Sequence, residues 1–284
     1  MMNLLDGKQL STKIKNNLAF EISSLKSSGL ISDLGLAVIL VGNDPASAVY
    51  VRNKINACAF VGITSIQYNL DESVTEHDLI ALIEKLNADS HVTGILVQLP
   101  LPKHISENAI ISKIDPSKDV DGFTPYQTGL LSIGQKSLVP CTPKGIIALL
   151  EHYNINLSGA HAVIVGRSNI VGKPLMNLLL QKNSTVTICH SKTKNLADIT
   201  KTADILIVAI GKPKFITETM IKDGAVLIDV GINRVDGKLV GDVDFEHLKE
   251  KCSYITPVPG GVGPMTITML LQNTLEAYHA TSRT

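Results

Sequence analysis

The chain has 284 residues, which is long enough for two domains that each bury a core. Hydrophobic residues make up 44% and charged residues 18%, a balance that excludes a disordered or fibrous protein. Lysine plus arginine and aspartate plus glutamate number 26 each, so no net charge attracts nucleic acid or an acidic membrane surface. We therefore expect neither nucleic acid nor membrane as a partner.

The cysteines favour a reduced protein without a metal. Cys58, Cys141, Cys189 and Cys252 are far apart and form no C-x-x-C motif, which argues against a zinc site and a disulfide framework. The N-terminus has no basic segment followed by an apolar one, and no apolar run approaches the about 18 residues of a membrane span. These features predict a cytoplasmic protein.

The first part of the chain alternates helices with apolar strands. Apolar residues spaced three and four apart predict a helix from Lys8 to about Ser28, and Asp44 is expected to cap the second helix. Such alternation predicts a parallel sheet with right-handed crossovers. The further predicted elements are strands at 36–41, 64–70 and 94–98 and helices at 45–61 and 75–86.

Residues 115–143 have little periodicity and several prolines, and we place the domain junction there. A second alternating series follows, ending in a long apolar helix from Met265 to about Tyr278. Its predicted strands are 162–165, 185–189, 204–210, 225–230 and 253–256, and its predicted helices are 143–153, one beginning near 171–174, 196–202 and 217–222.

The turn after the strand 162–165 has the features of an anion site. Gly166 can adopt a turn that a Cβ would hinder, and Gly172 allows close approach of the following helix. The free N–H groups and positive dipole end at such a helix start attract phosphate. The pattern Gly-x-Ser-x-x-x-Gly is weak alone and also fits an ordinary βα turn. The surrounding βαβ series favours dinucleotide binding.

The residues near this turn favour NADP over NAD. An NAD site usually has an acidic residue about 20 residues after the first glycine, at the end of the second strand. Residues 187–193 contain no carboxylate, whereas Arg167, Ser191 and Lys192 supply donors and positive charge for a 2′-phosphate. The alternative is that Lys192 and Lys194 are solvated loop charges.

Four polar residues are expected at the carboxyl ends of the first strands, where ligands of open α/β sheets gather. Tyr50 and Lys54 are four residues apart on one helix face, Gln98 ends a strand, and Asp121 lies in a turn. Singly, each fits a structural role; together they suggest a site with a stacking ring, an amine, an orienting amide and an acceptor. The Y-x-x-x-K pattern of short-chain dehydrogenases follows the nucleotide turn, whereas here it precedes Gly166, so that family fits poorly.

Seven motifs in order carry a resemblance to a known family. They are Y-V-R-N-K (50–54), V-Q-L-P-L-P (97–102), K-D-V-D-G-F (118–123), P-C-T-P-K-G (140–145), V-G-R-S-N-I-V-G-K-P (165–174), D-V-G-I-N (229–233) and P-V-P-G-G-V-G-P-M-T (257–266). Together the motifs resemble the bifunctional methylenetetrahydrofolate dehydrogenase/methenyltetrahydrofolate cyclohydrolases.

The resemblance implies an α/β fold of two domains and a cytoplasmic homodimer. Residues 1–121 would form a catalytic α/β domain that binds folate in a cleft between the domains. Residues 122–263 would form a Rossmann-type NADP-binding domain, and the helix 264–284 would return to the first domain.

The resemblance also assigns residues to the reaction. Lys54 would be the catalytic lysine, with Tyr50 and Gln98 as companions and Asp121 on the pterin. The nucleotide contacts would be Gly166, Arg167, Ser168, Gly172, Ser191 and Ile232, and the residues bordering the folate would be Pro259, Gly260, Gly261 and Val262. Removal of hydride from the methylene bridge needs no proton acceptor, whereas hydrolysis of the methenyl cation does, which is the step assigned to Lys54.

Two other functions stay open at this point. One is a different two-domain NADP-dependent dehydrogenase, acting on an amino acid or a cyclic alcohol, which would not need Lys54 paired with Gln98. The other is a nucleotide-sensing module without turnover.

Overall fold

The structure, a computed structural model, describes residues 3–31 and 33–281, with only the backbone described at 45 and 46. The chain forms two compact units. The three-stranded unit comprises the described residues of Lys13–Cys141 and Ile267–Thr284. The six-stranded unit comprises those of Met1–Thr12 and Thr142–Thr266.

Both units alternate strands with helices. The strands are β1 (Asn3–Leu4), β2 (Gly35–Val41), β3 (Thr64–Leu70), β4 (Gly94–Val97), β5 (His161–Val165), β6 (Thr185–Cys189), β7 (Ile205–Val208), β8 (Val226–Asp229), β9 (Asn233–Val235), β10 (Lys238–Val240) and β11 (Tyr254–Ile255). The α-helices are α1 (Gly7–Ser27), α2 (Pro45–Val61), α3 (Glu76–Ala88), α4 (Glu107–Ile111), α5 (Pro125–Ser132), α6 (Cys141–His152), α7 (Gly172–Gln181), α8 (Leu196–Thr200), α9 (Phe245–Leu248) and α10 (Val262–Thr281). Short 3-10 helices cover Pro116–Lys118 and Glu218–Met220.

The three-stranded unit is built on a parallel sheet in the order β3-β2-β4. Every residue of the central strand β2 is buried, as expected for an apolar strand covered on both faces. Residues of β2, β4 and α3 form its core, with Ile66 and Tyr68 of β3 packed against it. The sheet therefore presents the carboxyl ends of β2 and β4 side by side.

The six-stranded unit has the strand order β1-β11-β8-β7-β5-β6, and all its neighbouring strands are parallel. After β5 the chain first places β6 on one side and then β7 on the other. This reversal opens a crevice at the carboxyl end of β5, where doubly wound sheets bind ligands. The predicted α/β class and parallel Rossmann-type sheet are confirmed.

The last helix packs on the three-stranded unit, as the resemblance implies. From Ile267 onward α10 belongs to that unit. Asn273, wholly buried, donates from Nδ2 to the carbonyl oxygens of Val120 at 2.7 Å and Val139 at 2.8 Å. One amide thus joins the final helix to the segment that carries Asp121.

The structure differs from the sequence predictions mainly at short elements. The helix expected at 217–222 is only the 3-10 helix Glu218–Met220. The pattern also missed β1, α4, α5, α9 and the β9–β10 hairpin, since segments of two to eight residues are too short to show a period. The compact units divide after Thr12, Cys141 and Thr266, whereas the predicted functional domains divide after residues 121 and 263.

All four cysteines are free and buried. Among the described residues, no helix is long and apolar enough to cross a membrane.

Candidate active site

Helix α2 carries the first two candidate residues. Asp44 caps it as predicted, accepting a hydrogen bond from the Ser47 N–H at 2.7 Å. Tyr50 and Lys54, both partly buried, are one helical turn apart on the same face. Burial raises the pKa of Tyr50, which keeps the phenol neutral. The helix thus places a neutral ring beside an amine.

Gln98 meets Lys54 directly. The Lys54 Nζ donates to Gln98 Oε1 at 3.0 Å, and the Gln98 Nε2 donates to the Leu99 carbonyl at 2.7 Å. The second bond fixes the amide orientation, so Gln98 presents its oxygen to the amine. An amine that donates one proton to this oxygen in its neutral form keeps its lone pair free for another proton.

Asp121 is the carboxylate near this amine. Burial raises its pKa from 3.8 to about 6, while the positive charge of Lys54 acts to lower it and the negative charge of Asp119 to raise it. The positive charge of Lys54 therefore acts on the ionisation of Asp121. At neutral pH Asp121 is ionised and can accept hydrogen bonds from paired ligand donors.

The backbone around Asp121 is held tightly. Gly122 has φ 69°, and a Cβ there would lie 2.4 Å from the Leu138 carbonyl oxygen. Cys141 Sγ donates to the Val120 carbonyl at 3.4 Å and lies 3.8 Å from Asp121 Oδ1. Asp121 is thus placed by neighbours distant in sequence, and the turn that carries it is a constrained one.

In the three-stranded unit, Lys54 and Gln98 are therefore in direct contact, and Tyr50 lies on the same helix face as Lys54. Asp121 joins them in that its pKa responds to the Lys54 charge. Asn273 and Cys141, which hold the Asp121 segment, were not among the predicted site residues. Asn273 stands between Gln272 and Thr274 in α10, so the sequence gives no signal that distinguishes it from its polar neighbours.

In the six-stranded unit, the turn after β5 has the predicted close contacts. Gly166 has φ 133°, and a Cβ there would lie 2.4 Å from the Ala209 carbonyl oxygen. A Cβ on Gly172 would lie 2.2 Å from the Gly166 carbonyl oxygen. Only glycine fits either position without movement, and α7 therefore begins directly against the turn.

The Ser168 side chain accepts hydrogen bonds at the start of α7. Its Oγ accepts from the Val171 N–H at 3.1 Å and the Gly172 N–H at 3.4 Å. The hydroxyl proton remains available to donate, so Ser168 can contact a phosphate oxygen while it holds the helix start.

Arg167 and Ser191 lie after neighbouring strands. Val165 of β5 is paired with Cys189 of β6, and both Arg167 and Ser191 are exposed just beyond the carboxyl ends of these strands. Neither Arg167 nor Lys192 has an acidic partner among the residues that the structure describes. These cations suit the extra phosphate of NADP, and residues 190–193, directly after β6, contain no carboxylate to hold a ribose hydroxyl.

The other predicted ligand residues also lie in the six-stranded unit. Ile232, 44% exposed, follows β8, and its Cδ1 is near Gly263. In the segment 259–262, the Gly260 carbonyl accepts from the Lys8 N–H at 2.8 Å, and Gly261 packs against Gly7. This segment, expected to border folate, is thus held by the start of α1.

Comparison with known proteins agrees with this geometry. The catalytic-domain model of tetrahydrofolate dehydrogenase/cyclohydrolase matches residues 5–121, and its NAD(P)-binding-domain model matches residues 140–282. The bifunctional protein FolD of Agathobacter rectalis is 60% identical over 98% of this chain and 99% of its own.

Two solved structures are similar throughout. The bifunctional FolD dehydrogenase/cyclohydrolase of Campylobacter jejuni is 52% identical, with a TM-score of 0.96 over 99% of this chain and 100% of its own. The Trypanosoma brucei enzyme, solved with NADP and an inhibitor, is 38% identical, with a TM-score of 0.94 over 98% of each chain. Because the two domain models together cover the amine site and the glycine turn, the chain belongs to the tetrahydrofolate dehydrogenase/cyclohydrolase family.

Proposed function

We propose that the protein oxidises 5,10-methylenetetrahydrofolate to the methenyl compound with NADP⁺ and then hydrolyses the methenyl compound to 10-formyltetrahydrofolate. The observation that carries this proposal is the Lys54–Gln98 contact at 3.0 Å beside an ionised Asp121. A site built only to bind nucleotide has no use for an oriented amine. Family membership and the relatives named above support this function rather than the two alternatives.

The hydrolysis uses Lys54 as general base and acid. The methenyl cation plus water gives the formyl compound plus one proton. The neutral amine takes a proton from water as it attacks the bridge carbon, and returns a proton to the ring nitrogen as that C–N bond breaks. Gln98 holds the amine by its oxygen, so the lone pair stays aimed away from the amide. Tyr50 supplies a flat apolar surface for the substrate.

Asp121 anchors the pterin in this proposal. The pterin 2-amino group and its neighbouring ring N–H form a pair of donors that a carboxylate can accept in one plane. With a pKa of about 6, Asp121 is ionised at neutral pH and can accept both hydrogen bonds. Pro259–Val262 would border the folate.

NADP⁺, when bound, accepts the hydride. Hydride transfer leaves the methenyl cation and neither takes up nor releases a proton. The chain would bind NADP⁺ with the Gly166–Ser168 turn and Gly172 at the pyrophosphate, Arg167 and Ser191 at the 2′-phosphate, and Ile232 alongside. The two uncompensated cations after β5 and β6 support NADP over NAD. We assign residues 122–263 to this task and residues 1–121 together with residues 264–284 to folate.

The test is an assay of the purified protein with NADP⁺ and methylenetetrahydrofolate. We expect NADPH to form with the methenyl chromophore, which then decays to the formyl product. NADPH formation only with another substrate would support a different dehydrogenase. Nucleotide binding without turnover of any tested substrate would support a sensing module.

A cytoplasmic homodimer is also proposed. The free cysteines suit a reducing compartment. The edge strand β3 (T-S-I-Q-Y-N-L) has no charged residue to discourage pairing, and its outer edge has no strand neighbour among the described residues. Antiparallel pairing of two copies about Gln67 would place Ile66 against the partner's Tyr68 without a charge clash.

Sedimentation tests this interface. Gln67→Lys should convert a dimer into monomer by bringing two like charges together, whereas Thr185→Lys on another uncharged edge strand, β6, should not. A dimer that survives Gln67→Lys would exclude pairing through β3, and a monomeric wild-type protein would exclude the homodimer.

A further inference from the structure

The loop after β7 forms one wall of the crevice in the six-stranded unit. Strand β7 is the neighbour of β5 on the side where the strand order reverses. The close approach of Ala209 to Gly166 brings the beginning of this loop against the glycine turn. The next three residues, Ile210–Lys212, therefore border the proposed nucleotide site.

One buried carboxylate holds this loop. Asp242 is 0% exposed, and its Oδ2 accepts from the N–H groups of Ile210 at 2.7 Å and Gly211 at 2.9 Å. Its Oδ1 accepts from the N–H of Lys212 at 2.7 Å and from Asn233 Nδ2 at 2.9 Å. Three successive backbone donors and one side-chain amide thus compensate its charge.

A second carboxylate, that of Asp229, binds the backbone of Asp242. Asp229, at the end of β8, accepts from the N–H groups of Asp242 at 2.9 Å, Val243 at 3.0 Å and Gly231 at 3.0 Å. A Cβ on Gly231 would lie 2.3 Å from Asp242 Oδ1, and one on Gly241 would lie 1.7 Å from Asp229 Oδ2. Glycine at both positions therefore gives the Asp229 and Asp242 side chains the room that a Cβ would occupy.

We infer that Asp242, supported by Asp229, is a positioning residue for the nucleotide. It fixes Ile210–Lys212 in one conformation before NADP⁺ binds, so that binding does not have to order this wall. Its bonds occupy the N–H groups of all three residues, which leaves phosphate recognition to the Gly166–Gly172 turn. This inference rests on the proposed NADP site.

The test variant is Asp242→Asn, which keeps the shape of the side chain but places an amide NH2 group, itself a donor, opposite the backbone N–H donors. We expect NADP⁺ affinity to fall about tenfold or more, since several charge-assisted hydrogen bonds are disturbed. Methenyl hydrolysis, measured without nucleotide, should stay within about twofold, since Asp242 is outside the unit that carries Lys54. Amide exchange of residues 210–212, measured without nucleotide, should become faster.

Asp204→Asn is the matched control. Asp204 also accepts a backbone N–H, from His161 at 2.7 Å, but it precedes β7 at the opposite end of the sheet. The control should leave NADP⁺ affinity unchanged. Equal losses in both variants, or unchanged affinity in Asp242→Asn, would overturn the positioning role.

Three outcomes of this experiment can be told apart. If Asp242→Asn does not fold, Asp229→Asn takes its place under the same criteria, because it releases the Asp242 backbone and leaves both side chains similar in size. If the wild-type protein itself does not bind NADP⁺, the proposed function fails. A wild-type protein that binds NADP⁺ while Asp242→Asn binds it equally well would overturn only the positioning role.

Discussion

Replacement of Lys54 by methionine separates the two proposed activities. The variant keeps most of the apolar stem and removes the amine that donates to Gln98 Oε1 at 3.0 Å. Hydride removal needs no proton acceptor, whereas water attack does. We therefore expect Lys54→Met to retain measurable dehydrogenase activity and to lose cyclohydrolase activity, so that the methenyl compound accumulates.

The size of the effect follows from what is removed. Loss of general acid–base catalysis lowers rates about 10²- to 10⁴-fold, which corresponds to about 3 to 5 kcal/mol in activation free energy. The Gln98 oxygen also loses its partner in a partly buried place, which costs about 1 to 3 kcal/mol of stability. The dehydrogenase rate should fall less than about tenfold, since only substrate positioning is affected.

The assay follows both half-reactions near pH 8. Loss of the Lys54 charge removes an influence that lowers the pKa of Asp121, so a pH well above 6 keeps Asp121 ionised in both proteins. Arg52→Met is the matched control, because Arg52 is an exposed cation on the same helix, and it should change neither activity. Methenyl hydrolysis by Lys54→Met that stays close to the wild-type rate would refute the general-base role.

Further predictions concern the two ligands. Asp121→Asn should weaken folate binding and lower both activities together, because an amide presents a donor to the pterin donors; unchanged folate affinity, measured by direct titration, would make Asp121 a turn residue. In the wild-type protein, folate affinity should fall as the pH drops through about 6, because Asp121 becomes protonated. The contribution of Asp121 to stability should decline as the pH rises from 3.8 to about 6, because its folded-state pKa is raised. Chemical denaturation measures this second effect. Arg167→Ala should weaken NADP⁺ about ten- to a hundredfold and NAD⁺ far less, by loss of a charged hydrogen bond; equal losses for both nucleotides would mean that Arg167 supports the turn.

The sequence by itself determined the features that depend on neighbours along the chain. The helix cap at Asp44, the spacing of Tyr50 and Lys54 and the alternation of apolar strands with helices are all local, so periodicity and capping rules predicted them. Gly166 and Gly172 were predicted as sites of close approach for the same reason, since glycine is chosen where a Cβ has no room. The motifs were specific enough to indicate the family before any geometry was known.

Only the tertiary structure decided which of these residues meet. The Lys54–Gln98 bond, the burial that raises the pKa of Asp121 and the hold of Asn273 on Val120 all join segments far apart in the chain. Nothing in the sequence indicates that Asp229 and Asp242 pair, because their donors come from β9 and from the loops after β7, β8 and β10. Burial and hydrogen bonding between such segments exist only once the sheet has assembled, and no local pattern records them.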